Sequence, residues 1–198
     1  LRQANNGNWH TAWRWSRFLR PTCEVSLQAD WSPEDLAGKP AACMIALHAR
    51  RSADAIARFA QTRPGSPLVV VLTGTDLYRD IRVDASARRS LDLATHLVVL
   101  QDEGRAELAP PHRAKCRVIY QSAPALKVGT PNRRTFDVVL VGHMRAEKDP
   151  LMPLRALELL PDDSRVRLIH IGDALDDAYL RAAQALQARA WPATTRYL

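Results

Sequence analysis

A chain of 198 residues suits one large domain or one and a half smaller ones, and a hydrophobic content of 46% supplies a core for them. A charged content of 25% with no long polar tract excludes general disorder, and no apolar run approaches the ~20 residues that a membrane-spanning helix needs. The net charge of +7 comes from scattered arginines rather than basic runs; a nucleic-acid surface is one reading, but such dispersion more often reflects composition, and a phosphorylated small molecule also suits the balance.

Residues 1–8 are polar and end in Asn6-Gly7-Asn8, a turn signal. Asn8 can cap a helix through WHTAWRWSRFLR, which Pro21 ends. Its face of Trp9, Ala12, Trp13, Ser16 and Leu19 reads as core packing, and the Gly7-Asn8 turn alternatively as a ligand loop. Glu24 to Ala29 alternates as a strand does, and 31–40 is a linker. The apolar run Ala41 to Leu47 predicts a strand. Ser52 is placed to cap a helix over Ala53 to Gln61, with Ile56 and Phe59 or Ala60 inward. His48 and Arg50 then lie at the C-terminal end of a strand, where open α/β sheets bind ligands. An ordinary loop histidine fits the same place.

After the Pro64-Gly65 turn, Leu68 to Leu72 reads as a second buried strand running into TGTDLY. Thr73, Thr75 and Asp76 can hydrogen-bond a sugar or phosphate, and Gly74 permits close backbone approach. A helix start with a structural Asp76 explains the same residues. A helix is predicted over Asp84 to Ala94, with Ala87, Leu91 and Ala94 on one side. His96 to Leu100 is a third strand. Glu103 to Leu108 is a helical turn stopped by Pro110-Pro111. Arg117 to Tyr120 is a fourth strand, ending in QSAP.

These readings give an N-terminal domain over 1–124, a linker over 125–135 and the start of a second domain over 136–198. The second opens with FDVVLVGHMRAEKDP: a buried strand, a turn at Gly142, a basic loop bearing His143, Arg145 and Lys148, then a helix. Asp149 is expected as N-cap and Pro150 as the first helical residue, with Leu151, Leu154, Leu157 and Leu160 following. A helix start favours an anion, although many such units hold no ligand. Val166 to Ile171 is a strand ending at Gly172. Asp176 to Ala190 is a helix with Leu175, Tyr179, Ala182, Leu186 and Ala190 inward, closed by Trp191-Pro192. Thr195 to Leu198 opens another strand. The alternation argues for parallel sheets with right-handed crossovers. With no strand before its first loop, and a last strand only begun, the chain is expected to be a piece of a longer protein.

Cys23, Cys43 and Cys116 are odd in number and show no CxxC spacing, so free, buried thiols are expected rather than disulfides or zinc. No signal-peptide pattern is visible, which makes a cytoplasmic location the expectation. HExxH, Walker A, GxSxG, GxGxxG and DxD patterns are absent, and no metal or cofactor is expected. Asp162-Asp163 and Asp176-Asp177 read as solvated helix-end acids. Arg145 and Lys148 can neutralise a diphosphate without metal, stabilising a departing nucleoside diphosphate.

VGHMRAEKDP resembles the loop of GT-B glycosyltransferases in which a glycine, an arginine and an EK pair follow the first strand of the nucleotide-binding domain. Gly142, Glu147 and Lys148 match it; His143 stands where the arginine is usual, and Arg145 lies two places on. Together with GNWHTAWRW, ALHARRS, LTGTDLY, LVVLQ, VIYQSA and HIG, the set resembles the selenosugar synthases of bacterial selenoneine biosynthesis.

The resemblance implies a GT-B fold of two Rossmann-like domains, the second incomplete here. It implies that a UDP-sugar, UDP-N-acetylglucosamine above all, reacts with selenophosphate to give a selenosugar and UDP. It puts the donor at Gly142, His143, Arg145, Lys148 and Gly172. It puts the acceptor at Gly7, Asn8, Thr11, Arg50, Thr73, Gly74, Thr75 and Asp76, with His48 beside Arg145 and Lys148 in the catalytic set. A GT-B enzyme with a sugar or lipid-linked glycan acceptor is the alternative. Neither nucleic acid nor membrane is expected as a partner.

Overall fold

The computed structural model describes residues 7–36, 40–127, 129–130, 133–161, 163–175, 177–190 and 195–197. The chain divides into two compact units, Leu1–Pro124 and Ala125–Leu198.

The first unit is built on a four-stranded parallel sheet in sequential order: β1 (Met44–Leu47), β2 (Leu68–Leu72), β3 (His96–Val99) and β4 (Cys116–Val118). The apolar runs of β2 and β3 are almost wholly buried, as strands covered on both faces must be. The same unit holds helices α1 (Gly7–Leu19), α2 (Ala53–Thr62), α3 (Ile81–Val83), α4 (Ala85–Leu93) and α5 (Pro110–Ala114), of which α2 and α4 pack on each other and on β2. Ile56 and Phe59 of α2 are fully buried with Leu72, Leu91, Leu97 and Val99. Each such side chain contributes about 1.5–3 kcal/mol by leaving water. Trp31 meets Phe59 edge-on, with ring centres 5.2 Å apart. Asp84 caps α4 by accepting the Ala87 N–H at 2.9 Å.

The second unit is a parallel sheet in the order β5 (Phe136–Val141), β6 (Val166–Ile171), β7 (Thr195–Tyr197), with Phe136 level with Val166 and Val141 with Ile171. Helices α6 (Met152–Leu157) and α7 (Asp177–Ala190) accompany it. Its core gathers Met144, Leu154, Leu157, Leu168 and Ala183. No helix among the described residues is long and apolar enough to cross a membrane.

Several expectations are corrected. Glu24 to Ala29 forms no strand: among the described residues it joins neither sheet, and Glu24, Ser26 and Ala29 are exposed. On α1 the buried residues are Thr11 and Ser16, while Trp13 is exposed under the Arg17 guanidinium, 5.1 Å from its ring. Pro110-Pro111 begins α5 instead of only ending a turn, because proline fits the first helical positions. Asp149 is not the cap of α6. Ala146–Lys148 forms a 3-10 turn and Asp149 closes it at φ +40°, so α6 starts at Met152 with a proline in its first turn. β5 is not a buried strand: Val139 and Val141 are 52% and 72% exposed. Leu175 faces outward, and Ala183 rather than Ala182 fills the core. Cys116 is buried, but Cys23 and Cys43 are exposed; none of the three is in a disulfide. Expectations at Asp162, Asp176, Trp191-Pro192 and Leu198 fall outside the described residues.

Candidate functional site

In the first unit the loops after β1 and β2 close around one carboxylate. Asp76 is 0% exposed. Its Oδ1 accepts the N–H groups of Thr73 and Gly74, and its Oδ2 that of Ala49, each at 2.9 Å. Asp76 therefore ties the end of β2 to the loop after β1, with both oxygens turned to protein. Thr73, Gly74 and Thr75 stay half-buried beside it. Gly74 holds φ +144°, a conformation that favours glycine, and a Cβ there would meet nothing within 4 Å. The loop thus presents its backbone to open space.

Asp76–Asp80 is a π-helical turn. It brings Asp80, 2% exposed, under the β1 loop. Asp80 Oδ1 accepts from Arg79 Nε at 3.0 Å, and Oδ2 lies 3.0 Å from Arg50 Nε and 4.0 Å from His48 Nε2. His48 is 3% exposed at φ +76°. Its Nδ1 accepts the Arg51 N–H at 3.3 Å and lies 3.9 Å from Asp76 Oδ2. The accepting Nδ1 puts the ring proton on Nε2. Burial pushes the His48 pKa down; the Asp76 carboxylate opposes this and the Arg51 charge adds to it. Ser52 heads α2 without capping it, and its hydroxyl donates instead to the Leu47 carbonyl at 2.8 Å.

The start of α1 joins this edge through β4. Thr11 Oγ1 donates to the Gly7 carbonyl at 2.9 Å and accepts from Gln121 Nε2 at 2.8 Å. Arg14 Nε donates to Ser122 Oγ at 2.8 Å. Gly7 is exposed and Asn8 half-buried.

In the second unit the loops after β5 and β6 run together past the strands. The Gly142 N–H donates to the Ile171 carbonyl and the Met144 N–H to the Asp173 carbonyl, both at 2.9 Å. Buried His170 donates through Nε2 to the Gly142 carbonyl at 2.7 Å. The approach is so close that a Cβ on Gly172 would lie 2.3 Å from the Gly142 oxygen. His143 Nδ1 accepts the Asp173 N–H at 3.1 Å. Arg145 is exposed with its Nε 3.9 Å from Glu147 Oε2. The stem of exposed Lys148 passes 3.9 Å from where a Gly142 Cβ would stand.

The structure thus gathers His48, Arg50 and Thr73–Asp76 in one place, ties Thr11, and through it Gly7, to Gln121 past the end of β4 with Asn8 half-buried next in the chain to Gly7, and gathers Gly142, His143, Lys148 and Gly172 in the other unit. Arg145 stands at the turn before Lys148. Asp80, Gln121, His170 and Asp173 are additions that sequence reading missed. The spacing of Asp76 and Asp80, one helical turn apart, is the signal that could have found Asp80. Among the described residues no group of three or more His, Cys, Asp or Glu side chains is placed to hold a metal ion. The first lip offers the open backbone at Gly74, an exposed guanidinium and a buried imidazole beside it; the second offers close-packed glycines edged by cations, which suits a phosphate group.

No protein-family profile matches the chain, and no curated protein matches it. Solved structures do. Anabaena Alr3699/HepE in complex with UDP and glucose aligns with a TM-score of 0.59 at 16% identity, over 79% of this chain and 47% of that one. The same protein in complex with UDP gives 0.56 at 17% identity, over 79% and 47%, and in complex with UDP-glucose 0.52 at 16%, over 79% and 48%. This chain spans about half the length of those structures. At such identity the likeness concerns the fold, and with the two parallel sheets it gives an α/β chain of the GT-B type.

Proposed function

We propose that the chain is part of a cytoplasmic, metal-independent GT-B glycosyltransferase that makes a carbon–selenium bond. The observation that carries the donor half is the Gly142–Gly172 backbone contact edged by Lys148, in a fold shared with a protein solved with UDP and with UDP-glucose. The acceptor half rests on the LTGTDLY and GHMRAEKDP resemblance and on the Arg50 and His48 arrangement at the β1 end.

In this reading the UDP-sugar, UDP-N-acetylglucosamine, lies with its diphosphate on Gly142 and Gly172, with Lys148, Arg145 and His143 at its edge. Selenophosphate selenium attacks the anomeric carbon as the bond from that carbon to the UDP oxygen breaks. The electron pair leaves with UDP, and Lys148 and Arg145 stabilise the growing charge. Water then cleaves the selenium–phosphorus bond, releasing phosphate and the selenosugar. Arg50 receives the acceptor anion beside the backbone of Thr73–Thr75 and the Gly7–Asn8 turn. Asp76 and Thr11 act through the loops they hold. His48, neutral and bonded within the protein, orients rather than removes a proton.

Incubating the full-length protein with UDP-N-acetylglucosamine and selenophosphate should release UDP at a rate unchanged by a chelator. No release from a folded, UDP-binding protein overturns the selenium chemistry. Lys148→Ala should weaken UDP-sugar binding at least about tenfold through loss of a charge-assisted contact; unchanged binding removes Lys148 from the donor site. A sugar or lipid-linked glycan acceptor is the second reading, and the HepE structure in complex with UDP and glucose is the observation that favours it. Mass spectrometry of products across acceptors separates the two.

A further inference from the structure

Three departures from ordinary geometry meet at one point of the first unit. His48 holds φ +76°, a left-handed conformation uncommon outside glycine. The Asp76–Asp80 turn is π-helical, a rare form that concentrates at functional sites. Asp80 is 2% exposed, yet its Oδ2 accepts no hydrogen bond among the described residues. A buried carboxylate oxygen ordinarily has one. Its nearest cation, the Arg50 guanidinium, lies 3.0 Å away through Nε, and the Arg50 side chain remains 45% exposed. Contact through Nε leaves the two Nη groups at the far end, the edge that grips an oxyanion as a fork. Open space above the Gly74 backbone adjoins the same loops.

We infer that Asp80 is a positioning residue, which holds Arg50 by its Nε side so that the outer edge of the guanidinium receives a tetrahedral oxyanion of the phosphate class. The inference rests on the acceptor-side reading of this lip and names what builds it. Asp80 is held in turn: Arg79 Nε donates to its other oxygen at 3.0 Å. His48 Nε2, 4.0 Å from Oδ2, closes the remaining side. The left-handed backbone at His48 sets the ring there and lets the chain turn back toward Arg50. Without Asp80 the long Arg50 side chain has no fixed direction, and each bound anion must order it anew.

Charge and position make opposite demands here, which makes the idea testable. Asp80→Asn removes a negative charge beside Arg50, so electrostatics alone would tighten anion binding. Loss of positioning weakens it. Inorganic phosphate is titrated calorimetrically into the full-length protein and into Asp80→Asn and Arg50→Lys variants. Wild-type protein should bind phosphate, and both variants should bind at least about fivefold more weakly, since lysine keeps the charge but not the fork. UDP affinity should stay unchanged in both variants, while Asp80→Asn lowers the thermal midpoint because it leaves buried ion pairs incomplete.

A wild-type protein that does not bind phosphate overturns the inference, as does an Asp80→Asn variant that binds as tightly or tighter. Should Asp80→Asn fail to fold, Arg50→Lys decides alone, and unchanged phosphate affinity there overturns the inference. Failure of the selenium chemistry shows instead in the UDP-release assay with selenophosphate, which phosphate binding does not report.

Discussion

A methyl group at position 172 would stand 2.3 Å from the Gly142 oxygen and 2.6 Å from its carbon. Both are backbone atoms tied into the ladder through the Gly142 N–H, so neither can yield cheaply. Gly172 also holds φ +148°, which L side chains disfavour. Gly172→Ala should destabilise the second unit by about 3 kcal/mol or more and abolish UDP binding. Urea denaturation and UDP titration check this, and Gly7→Ala, with nothing within 4 Å of its added Cβ, is the control for stability.

His48 supplies a prediction of another kind. Burial holds its pKa below the ordinary 6.5, so the folded form binds the proton more weakly than the unfolded form. Its contribution is therefore intact above about pH 6.5 and declines as the pH falls through and below that value toward the depressed one. His48→Asn, which tolerates the left-handed backbone, should flatten the fall in urea midpoint between about pH 7 and pH 5. An unchanged slope would mean that His48 does not govern it.

At the scale of elements, one carboxylate organises the first lip. In Asp76→Asn an amide nitrogen replaces one acceptor oxygen, so the Ala49 N–H or the Thr73 and Gly74 pair loses its partner. A loss of about 2–4 kcal/mol is expected, read as a lower urea midpoint. The strands themselves were legible in the sequence: β2 and β3 are short apolar runs bounded by polar turns, and burial on both faces demands that pattern. The Glu24 to Ala29 stretch shows the limit. It alternates correctly, but a strand needs a partner, and a local pattern carries no information about one. Asp149-Pro150 fails differently. The residues suit a helix start, yet the preceding 3-10 turn uses Asp149 to reverse the chain. The loop residues of both lips were legible from their place at strand ends. Asp80 was not, because what distinguishes it is contact with Arg50 and His48 on another loop.

At the scale of the whole chain, each unit has its own core. The first is the deeper, built from strands covered on both faces and from Ile56 and Phe59. The second leaves Phe136, Val138, Val139 and Val141 of β5 exposed, which is why its apolar run misled the expectation of a buried strand. The cysteines sample the structure at three points. Cys23 and Cys43 lie exposed, whereas Cys116 is 1% exposed in the first core and burial pushes its thiol pKa up. A chromogenic thiol reagent should count two accessible thiols in the folded protein, Cys43 the slower of them because burial and the neighbouring Cys23 push its thiol pKa up. Cys116 should react only as the first unit unfolds, since the thiolate is the reactive form. Mass mapping of the labelled peptides assigns them, and rapid labelling of Cys116 would contradict its burial in the first core.

The ladder between β5 and β6 does not stop where the strands stop. It continues through Gly142 and Met144 onto the far loop, with His170 holding the Gly142 carbonyl from beneath. The backbone of the glycine loop is therefore ordered before any anion arrives. What binding must still immobilise is confined to the Arg145 and Lys148 side chains, at about 0.5–1.5 kcal/mol each. The conformational entropy of the main chain has already been surrendered in folding, so in the donor reading proposed above a diphosphate would meet a pre-ordered backbone and need to order only those two side chains.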